Sequence, residues 1–310
     1  MSKTLILQMD EPESFNPATD TTMALALEAQ ERGYALWYYT PRQLACVNGE
    51  VAAPCRPIRF FKRPAKFFER DEAQQRRLEE ADIILIRQNP PYNMEYLGCT
   101  WLLEELRRPK IFNHPGSIRN RPEKLFPLEF PQYTPQTCIS ADVDTLMAFR
   151  REHPDTVIKP LYGFGGQAVY HLPPQSQNFE SLIVQLLSSS PEPLILQPYL
   201  PEVMREEKRI LLINGKVAAA YNRIPAEGDF RSNGAVGGSA APTELTARQR
   251  EIAESVGDIC AREQLMLVGL DVIGDWLIEV NTTCPTGIPV VERLYGLNLA
   301  KIFWDAVEAC

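Results

Sequence analysis

GLDVIGDWLIEVNTTCPTG, residues Gly269–Gly287, reads as two short strands joined by a tight turn. Met266, Val268, Leu270 and Val272 alternate on the first arm, and Trp276, Ile278 and Val280 on the second. A period of two puts one side of a strand against a core. If these apolar sets share a face, even-numbered residues pair with even-numbered ones. A two-residue Gly274-Asp275 turn would pair odd with even and separate them. A three-residue turn, Gly274-Asp275-Trp276, instead sets Val272 against Ile278 and Asp271 against Glu279. Asn281, two residues on, then shares the face of Glu279. One face is apolar. The other carries two carboxylates and a carboxamide, oxygen donors that suit a hard cation such as Mg2+, which favours carboxylates shared with a substrate's phosphates. A solvated hairpin with ordinary surface acids has the same pattern, and these three residues alone do not separate the two.

The chain around this hairpin has 310 residues, more than one ordinary core, so two or three domains are expected. Hydrophobic residues make up 45% and charged residues 23%, the balance of a globular protein. Net charge is −8 without a basic run, which gives no support for a nucleic-acid or anionic-membrane partner. Local lysines and arginines can still build a positive pocket. The opening MSKTLILQMD meets Asp10 too early for a signal segment, and no apolar stretch approaches the ~20 residues of a membrane span. Seven scattered cysteines without CxxC spacing argue against a disulfide framework or a zinc cluster. A reducing cytoplasm is the expected location.

Upstream, the strand at Thr4–Met9, the helix at Thr21–Arg32 and the strand at Tyr34–Tyr39 predict a parallel α/β layer. A less regular, proline-marked region runs to Glu80; the strand Ile83–Ile86 follows, then a helix and the short strand Lys110–Phe112. Residues 1–120 thus read as a Rossmann-like domain, without a GxGxxG turn to support dinucleotide binding. Residues 121–200 read as a small α+β unit with strands joined by turns, and residues 201–310 as a last unit containing the hairpin. The last unit also holds an Asn214-Gly215 turn between strands Lys208–Ile213 and Lys216–Ile224, and the helix Thr246–Glu263, with Thr246 as N-cap and Gln249 three residues later.

Several stretches carry candidate chemistry. Gly163, Gly165 and Gly166 lie between two strands, where glycines let backbone N–H groups approach a phosphate. No Lys-Ser/Thr pair follows, so this is not a Walker A loop. Lys159 just before the glycines, and Lys124 further upstream, would supply ammonium groups. Gln197, Tyr199 and Leu200 end an apolar strand where backbone groups can meet a purine edge. Arg209 and Arg223 sit on the two arms of the Asn214-Gly215 hairpin and could each neutralise a transferring phosphoryl group. The simple register pairs residue 209 with 220, which puts Arg223 on the opposite face unless a bulge re-aims it. The glycine-rich Ala226–Ala240 loop suits either a lid or a plain surface loop.

In this order, EKLF around Lys124, IKPLYGFGG, LQPYLP, EKRILLINGK, NRIPAEGDFRSNGAVGG and VGLDVIGDWLIEVNTTCPTGI resemble the bacterial glutathione synthetases of the ATP-grasp superfamily. The match extends through LEAQERGYALWYYTP and RQNPPYN and so covers nearly the whole chain. It implies an ATP-grasp fold, α/β and α+β, with an N-terminal Rossmann-like (pre-ATP-grasp) domain and ATP between the second and third domains. By motif position, Lys124 and Lys159 would hold ATP phosphates under a flap of Gly163, Gly165 and Gly166, and Gln197, Tyr199 and Leu200 would line the adenine pocket. Asp271, Glu279 and Asn281 would ligate two Mg2+ ions, with Mn2+ as the alternative metal. Arg209 and Arg223 would face the γ-phosphate and the acyl phosphate, and Arg231, Ser232 and Asn233 would close over the intermediate.

The implied reaction is that of a carboxylate–amine ligase: γ-glutamylcysteine is phosphorylated by ATP and then attacked by glycine. The resemblance also implies a homo-oligomer. The chain departs from the family pattern at residues facing substrate: Asn89 and Asn93 stand where aspartates are usual, Ser239 where an arginine follows the lid's Gly-Gly, and Cys284 where a serine is usual. These departures motivate a rival reading, the same chemistry on another γ-glutamyl acid or amine. A second rival is a binding module that holds ATP without turnover.

Overall fold

The computed structural model describes residues 2–63, 66–190, 192–232 and 237–310. Its first layer contains β1 (Thr4–Met9), α1 (Thr21–Glu31), β2 (Ala35–Tyr39), β3 (Ala45–Val47), β4 (Glu50–Phe60), β5 (Phe68–Arg70), β6 (Gln74–Arg77), β7 (Ile83–Arg87), α2 (Met94–Glu104), β8 (Lys110–Phe112) and α3 (Pro115–Asn120). Strands β2-β1-β7-β8 run parallel in that order. β7 is buried throughout and β1 nearly so, the continuous apolar run of a strand covered on both faces. The Rossmann-like layer is therefore present. The proline-marked region differs from expectation, because β4 is a long strand through Pro54 and Pro57. It pairs in turn with β3, β6, β2 and β5, each over only a few residues. Such short pairings tolerate prolines that cannot donate to a ladder.

The middle unit holds β9 (Cys138–Ser140), α4 (Val143–Glu152), β10 (Thr156–Pro160), β11 (Tyr170–Leu172), α5 (Phe179–Ser189) and β12 (Leu194–Pro198). Its antiparallel sheet has the order β11-β10-β12-β9 and shares a small core of Leu146, Ile158, Phe179, Ile183, Leu194 and Leu196 with α4 and α5. Asp142 caps α4 by accepting from Thr145 N at 2.8 Å.

The last unit comprises β13 (Glu207–Ile213), β14 (Lys216–Ile224), β15 (Ser239–Pro242), α6 (Ala247–Arg262), β16 (Leu267–Ile273), β17 (Trp276–Asn281), α7 (Ile288–Tyr295) and α8 (Leu299–Ala309). Its antiparallel order is β15-β14-β13-β16-β17. α6 begins in the expected capping box: Gln249 N donates to Thr246 Oγ1, and Thr246 N donates to the Gln249 carboxamide oxygen. One face of the sheet, including Ile210, Leu212, Val268 and Leu270, shares a buried cluster with Ile252 and Val256 of α6. α8 packs on the first layer: Trp304 Nε1 donates to Leu25 O at 2.8 Å, and Arg32 reaches Asp305 at 2.6 Å and Glu308 at 2.7 Å.

Both hairpins of this sheet turn on two residues and then carry one extra residue. Asn214 and Gly215 have φ of 48° and 73°, the left-handed pair that matches strand twist. β13 and β14 begin in the simple register, Ile213 against Lys216, and shift at Ala218. Beyond the shift Arg209 faces Tyr221 and Glu207 faces Arg223, so the two arginines share one face. In the second hairpin Ile273 pairs with Trp276 around Gly274-Asp275, and the extra residue is Ile278. The expected three-residue turn is therefore corrected to a two-residue turn with a bulge, and the bulge restores Asp271 opposite Glu279. It also changes the core set of the second arm. Leu277 and Val280 are fully buried, whereas Trp276 is 39% exposed and Ile278 lines a cleft.

Candidate active site

Three strands bring opposite charges together at one end of the last sheet. Asp271, 3% exposed, accepts from Arg209 Nε at 2.6 Å on Oδ1 and from Nη2 at 3.1 Å on Oδ2, and Arg223 Nη2 lies 2.9 Å from the same Oδ2. Burial alone would raise the Asp271 pKa, but the two guanidiniums outweigh it and hold the carboxyl below its ordinary value. Asn281 Nδ2 donates to Gly269 O at 2.9 Å and to Asp271 Oδ2 at 3.3 Å. Gly269 leaves room for the arginine above it, since a Cβ there would stand 3.2 Å from Arg209 Cδ and Nη1. Arg223 Nε is buried without a hydrogen-bond partner among the described residues. A buried orphan donor on a cleft-lining residue is what an incoming anion would satisfy.

A second charged group ties the sheet to the glycine flap. Lys124 Nζ lies 2.9 Å from Glu279 Oε1 and also donates to Gly163 O. Burial pulls the Lys124 pKa down, but Glu279 and then Glu123 overcome this and hold it above its ordinary value. Glu123 accepts from Thr282 N at 2.9 Å, Thr283 N at 3.0 Å and Thr283 Oγ1 at 2.7 Å, so it clamps the turn after β17. Burial, then the nearby Glu279 charge, push the Glu123 carboxyl up. Lys159, 8% exposed, goes the other way: burial brings its ammonium down to about 8, Glu279 opposing and Lys124 assisting. Gly165 and Gly166 have φ of 63° and 76°, which only glycine adopts at low cost.

At the far side, Gln197 Nε2 donates to Thr137 Oγ1 at 2.9 Å. Tyr199 N donates to Asp155 O at 2.9 Å, so that N–H is not free for a purine edge. The Tyr199 ring instead stacks on His171 at 3.8 Å and meets the edge of Phe230 at 6.3 Å. Phe230 belongs to the glycine-rich loop. Its neighbour Arg231 pairs with Asp229 at 2.7 Å and donates to Gly166 O at 3.1 Å. Ser232, 1% exposed, donates to Glu207 Oε2, while Glu207 Oε1 pairs with Arg223. Asn233 lies outside the described residues.

All the other sequence-predicted residues line one cleft of about 1100 Å³: Lys124, Lys159, Gly163, Gly165, Gly166, Gln197, Tyr199, Leu200, Arg209, Arg223, Arg231, Ser232, Asp271, Glu279 and Asn281. Sequence reading missed Glu207, Glu123, Phe230 and the two apolar walls Ile273 and Ile278. For Glu207 a signal existed, because it stands two residues before Arg209 and so shares its strand face. Among the described residues no three His, Cys, Asp or Glu side chains gather as a metal site. A cation at Asp271 and Glu279 would need further oxygen from a bound substrate, as Mg2+ sites commonly do.

The positions that depart from the family pattern have structural roles. Asn93 Oδ1 accepts from Tyr96 N at 3.0 Å and caps α2, work that an aspartate would do equally well. Asn89 Nδ2 donates to Asp10 Oδ2 at 2.6 Å, so a carboxylate stands at that end of the cleft. A smaller cavity of about 340 Å³ opens there, beyond the ends of β1 and β7 where the strand order reverses. Open α/β sheets bind ligands at such switch points. Cys284 is half-buried, its thiol pushed up to about 11 by desolvation, and it donates to Arg87 O at 3.4 Å. Ser239 lies on the cleft wall at the start of β15, and Arg293 of α7 lines the same cleft.

A family model described as "Prokaryotic glutathione synthetase, ATP-grasp domain" matches residues 123–296, and one described as "Prokaryotic glutathione synthetase, N-terminal domain" matches residues 4–119. The glutathione synthetase of Bradyrhizobium diazoefficiens is 43% identical over 99% of this chain and 98% of its own length. That of Brucella melitensis is 44% identical over 100% and 99%. Among solved structures, the D-cycloserine synthetase DcsG superposes with a TM-score of 0.68 at 15% identity, covering 98% of both chains. The ATP-grasp ligase PsnB, complexed with a precursor variant, Mg and ADP, superposes at 0.65 and 14% identity over 99% of this chain and 98% of its own. At these identities the solved structures establish the fold.

Proposed function

The chain belongs to the prokaryotic glutathione synthetases and is an ATP-grasp ligase, and from that premise we propose that it joins γ-glutamylcysteine to glycine through an acyl phosphate made from ATP. The observation that carries this reading is the convergence of Arg209 and Arg223 on Asp271, beside the Glu279–Lys124 pair that reaches the glycine flap. Phosphoryl transfer needs positioned positive charge more than a general base. Arg209 and Arg223 supply it where a γ-phosphate would lie, and the unpartnered Arg223 Nε is a donor left over for a phosphoryl oxygen. Lys124 and Lys159 neutralise the triphosphate from the flap side, with Gly163, Gly165 and Gly166 letting backbone N–H groups approach. Gln197, Tyr199 and Leu200 bound the purine, and Ile273 and Ile278 add apolar lining to the same cleft.

Asp271, Glu279 and Asn281 fit Mg2+ by donor chemistry, all three offering oxygen, and would hold two ions together with the nucleotide. Bound there, Mg2+ supplies charge neutralisation across the phosphates. Arg209, Arg223 and Lys124 balance these carboxylates, and a triphosphate would offer the same cations further anionic partners and leave carboxylate oxygens for Mg2+. A substrate carboxylate oxygen attacks the γ-phosphorus and ADP leaves. The glycine nitrogen then attacks the acyl carbon, the C–O bond to phosphate breaks, and the ammonium's protons go to solvent. Arg231 and Ser232 hold the loop over this step, where water would otherwise hydrolyse the acyl phosphate. A cytoplasmic location and a homo-oligomeric state belong to the same reading. Among the described residues, no helix is long and apolar enough to cross a membrane.

The test is ADP release with ATP and Mg2+ over a matrix of acids and amines, with products identified by mass. Turnover that requires γ-glutamylcysteine and glycine supports the reading. Turnover only with other pairs sinks the substrate assignment, and nucleotide binding without turnover on any pair sinks the ligase step.

A further inference from the structure

Three consecutive loop residues touch three parts of the cleft. Phe230 meets the Tyr199 and His171 rings, Arg231 holds Gly166 O, and Ser232 donates to Glu207. Only the third contact leads to the charge cluster around Asp271. Glu207 is 8% exposed, lies opposite Arg223 in register, and divides its carboxylate between Arg223 and Ser232. Arg223 already has Asp271 at 2.9 Å. Because Asp271 is shared with Arg209, Glu207 supplies the second negative charge of a cluster of two guanidiniums and two carboxylates, and this pairing occupies only its Oε1. Its Oε2 is a charged acceptor for the loop.

We propose that Glu207 is a positioning residue that latches the loop through Ser232 to the Arg223 end of the cleft, keeping water from the acyl phosphate. This rests on the ligase reading above. With the latch open, water attacks the acyl carbon, phosphate leaves, and the acid is regenerated with one ATP spent and no amide formed. Arg223 keeps its charge and its place in β14 opposite residue 207, so phosphorylation of the acid continues. A hydroxyl bonds a carboxylate more strongly than a neutral carboxamide, by a margin worth about fivefold in the latched population.

The experiment uses the full chain with ATP and Mg2+ and the acid–amine pair that the wild type converts, reading ADP and amide product in the same reaction. Failure of the substrate reading shows in the wild type alone, as absence of product from γ-glutamylcysteine and glycine. The latch is read from the ratio of amide to ADP, about one in the wild type on this stoichiometry. Glu207→Gln should lower that ratio about fivefold where hydrolysis competes with glycine attack, and Glu207→Asp should recover part of it. Ser232→Ala, which leaves both carboxylates on Arg223 and guards against a folding defect, should lower it similarly. The double variant should be no worse than the stronger single one. Variants that lose ADP and amide in parallel at an unchanged ratio, or losses that multiply in the double variant, would overturn the proposal.

Discussion

Raising the pH from 7 to 9 should weaken nucleotide binding about tenfold through Lys159 alone. Burial brings its ammonium down to about 8, with Lys124 adding to the shift and Glu279 opposing it. A triphosphate binds the charged form, so affinity follows the protonated fraction, about 0.9 at pH 7 and about 0.09 at pH 9. The other cations of the cluster keep their charge across this window, because Lys124, Arg209 and Arg223 are all held above their ordinary values. Folding moves oppositely. The unfolded lysine keeps its proton up to about 10.5, so between about pH 8 and 10.5 the unfolded chain binds more protons and stability rises with pH. Weakened binding in that window therefore does not reflect loss of the fold. Calorimetric titration with a non-hydrolysable ATP analogue and Mg2+ at pH 7, 8 and 9 reads the effect, with Lys159→Met as comparison. A flat wild-type profile, or a methionine variant that keeps the slope, would refute the reasoning.

Asp271→Asn should cost about 3–5 kcal/mol of stability in urea unfolding without ligand, because two buried guanidiniums lose their shared partner; a change below 1 kcal/mol would contradict the burial argument. Gly257→Ala should destabilise by about 3 kcal/mol or more, since the new Cβ would stand 2.0 Å from Gly215 O and force α6 off the hairpin turn; an unchanged thermal midpoint would show that the two backbones separate freely. Glu279→Gln should lower turnover about tenfold or more at limiting Mg2+ and less at saturating Mg2+, and wild-type turnover at limiting Mg2+ would remove Glu279 from the metal site.

The site was legible where chemistry and periodicity agree. Asp271, Glu279 and Asn281 could be set on one face from alternation alone, and Lys159 beside Gly163–Gly166 from residue type and spacing. What stayed hidden is one-residue geometry. Ala218 and Ile278 are ordinary strand residues, yet as bulges they decide that Arg223 joins Arg209 and that Leu277 rather than Ile278 enters the core. Nothing in either side chain announces an extra residue. The Asp271–Glu279 pairing came out right because a supposed third turn residue and a real bulge shift register by the same amount. β4 was obscured by Pro54 and Pro57, and α7 by Pro289 in its first turn. Glu123 looks like a surface acid in sequence, and only tertiary packing makes it the acceptor that clamps Thr282 and Thr283.

The contact between α1 and α8 has a consequence for how the chain is made. Arg32 must wait for Asp305, 273 residues later, before its ion pair can form, and Leu25 O waits 279 residues for Trp304. At ~5–20 residues per second, that is roughly 15 to 55 seconds on the ribosome during which the flank of α1 lacks its cover. The nascent first layer is therefore completed by the synthesis and docking of α8, rather than by emergence of its parallel strands.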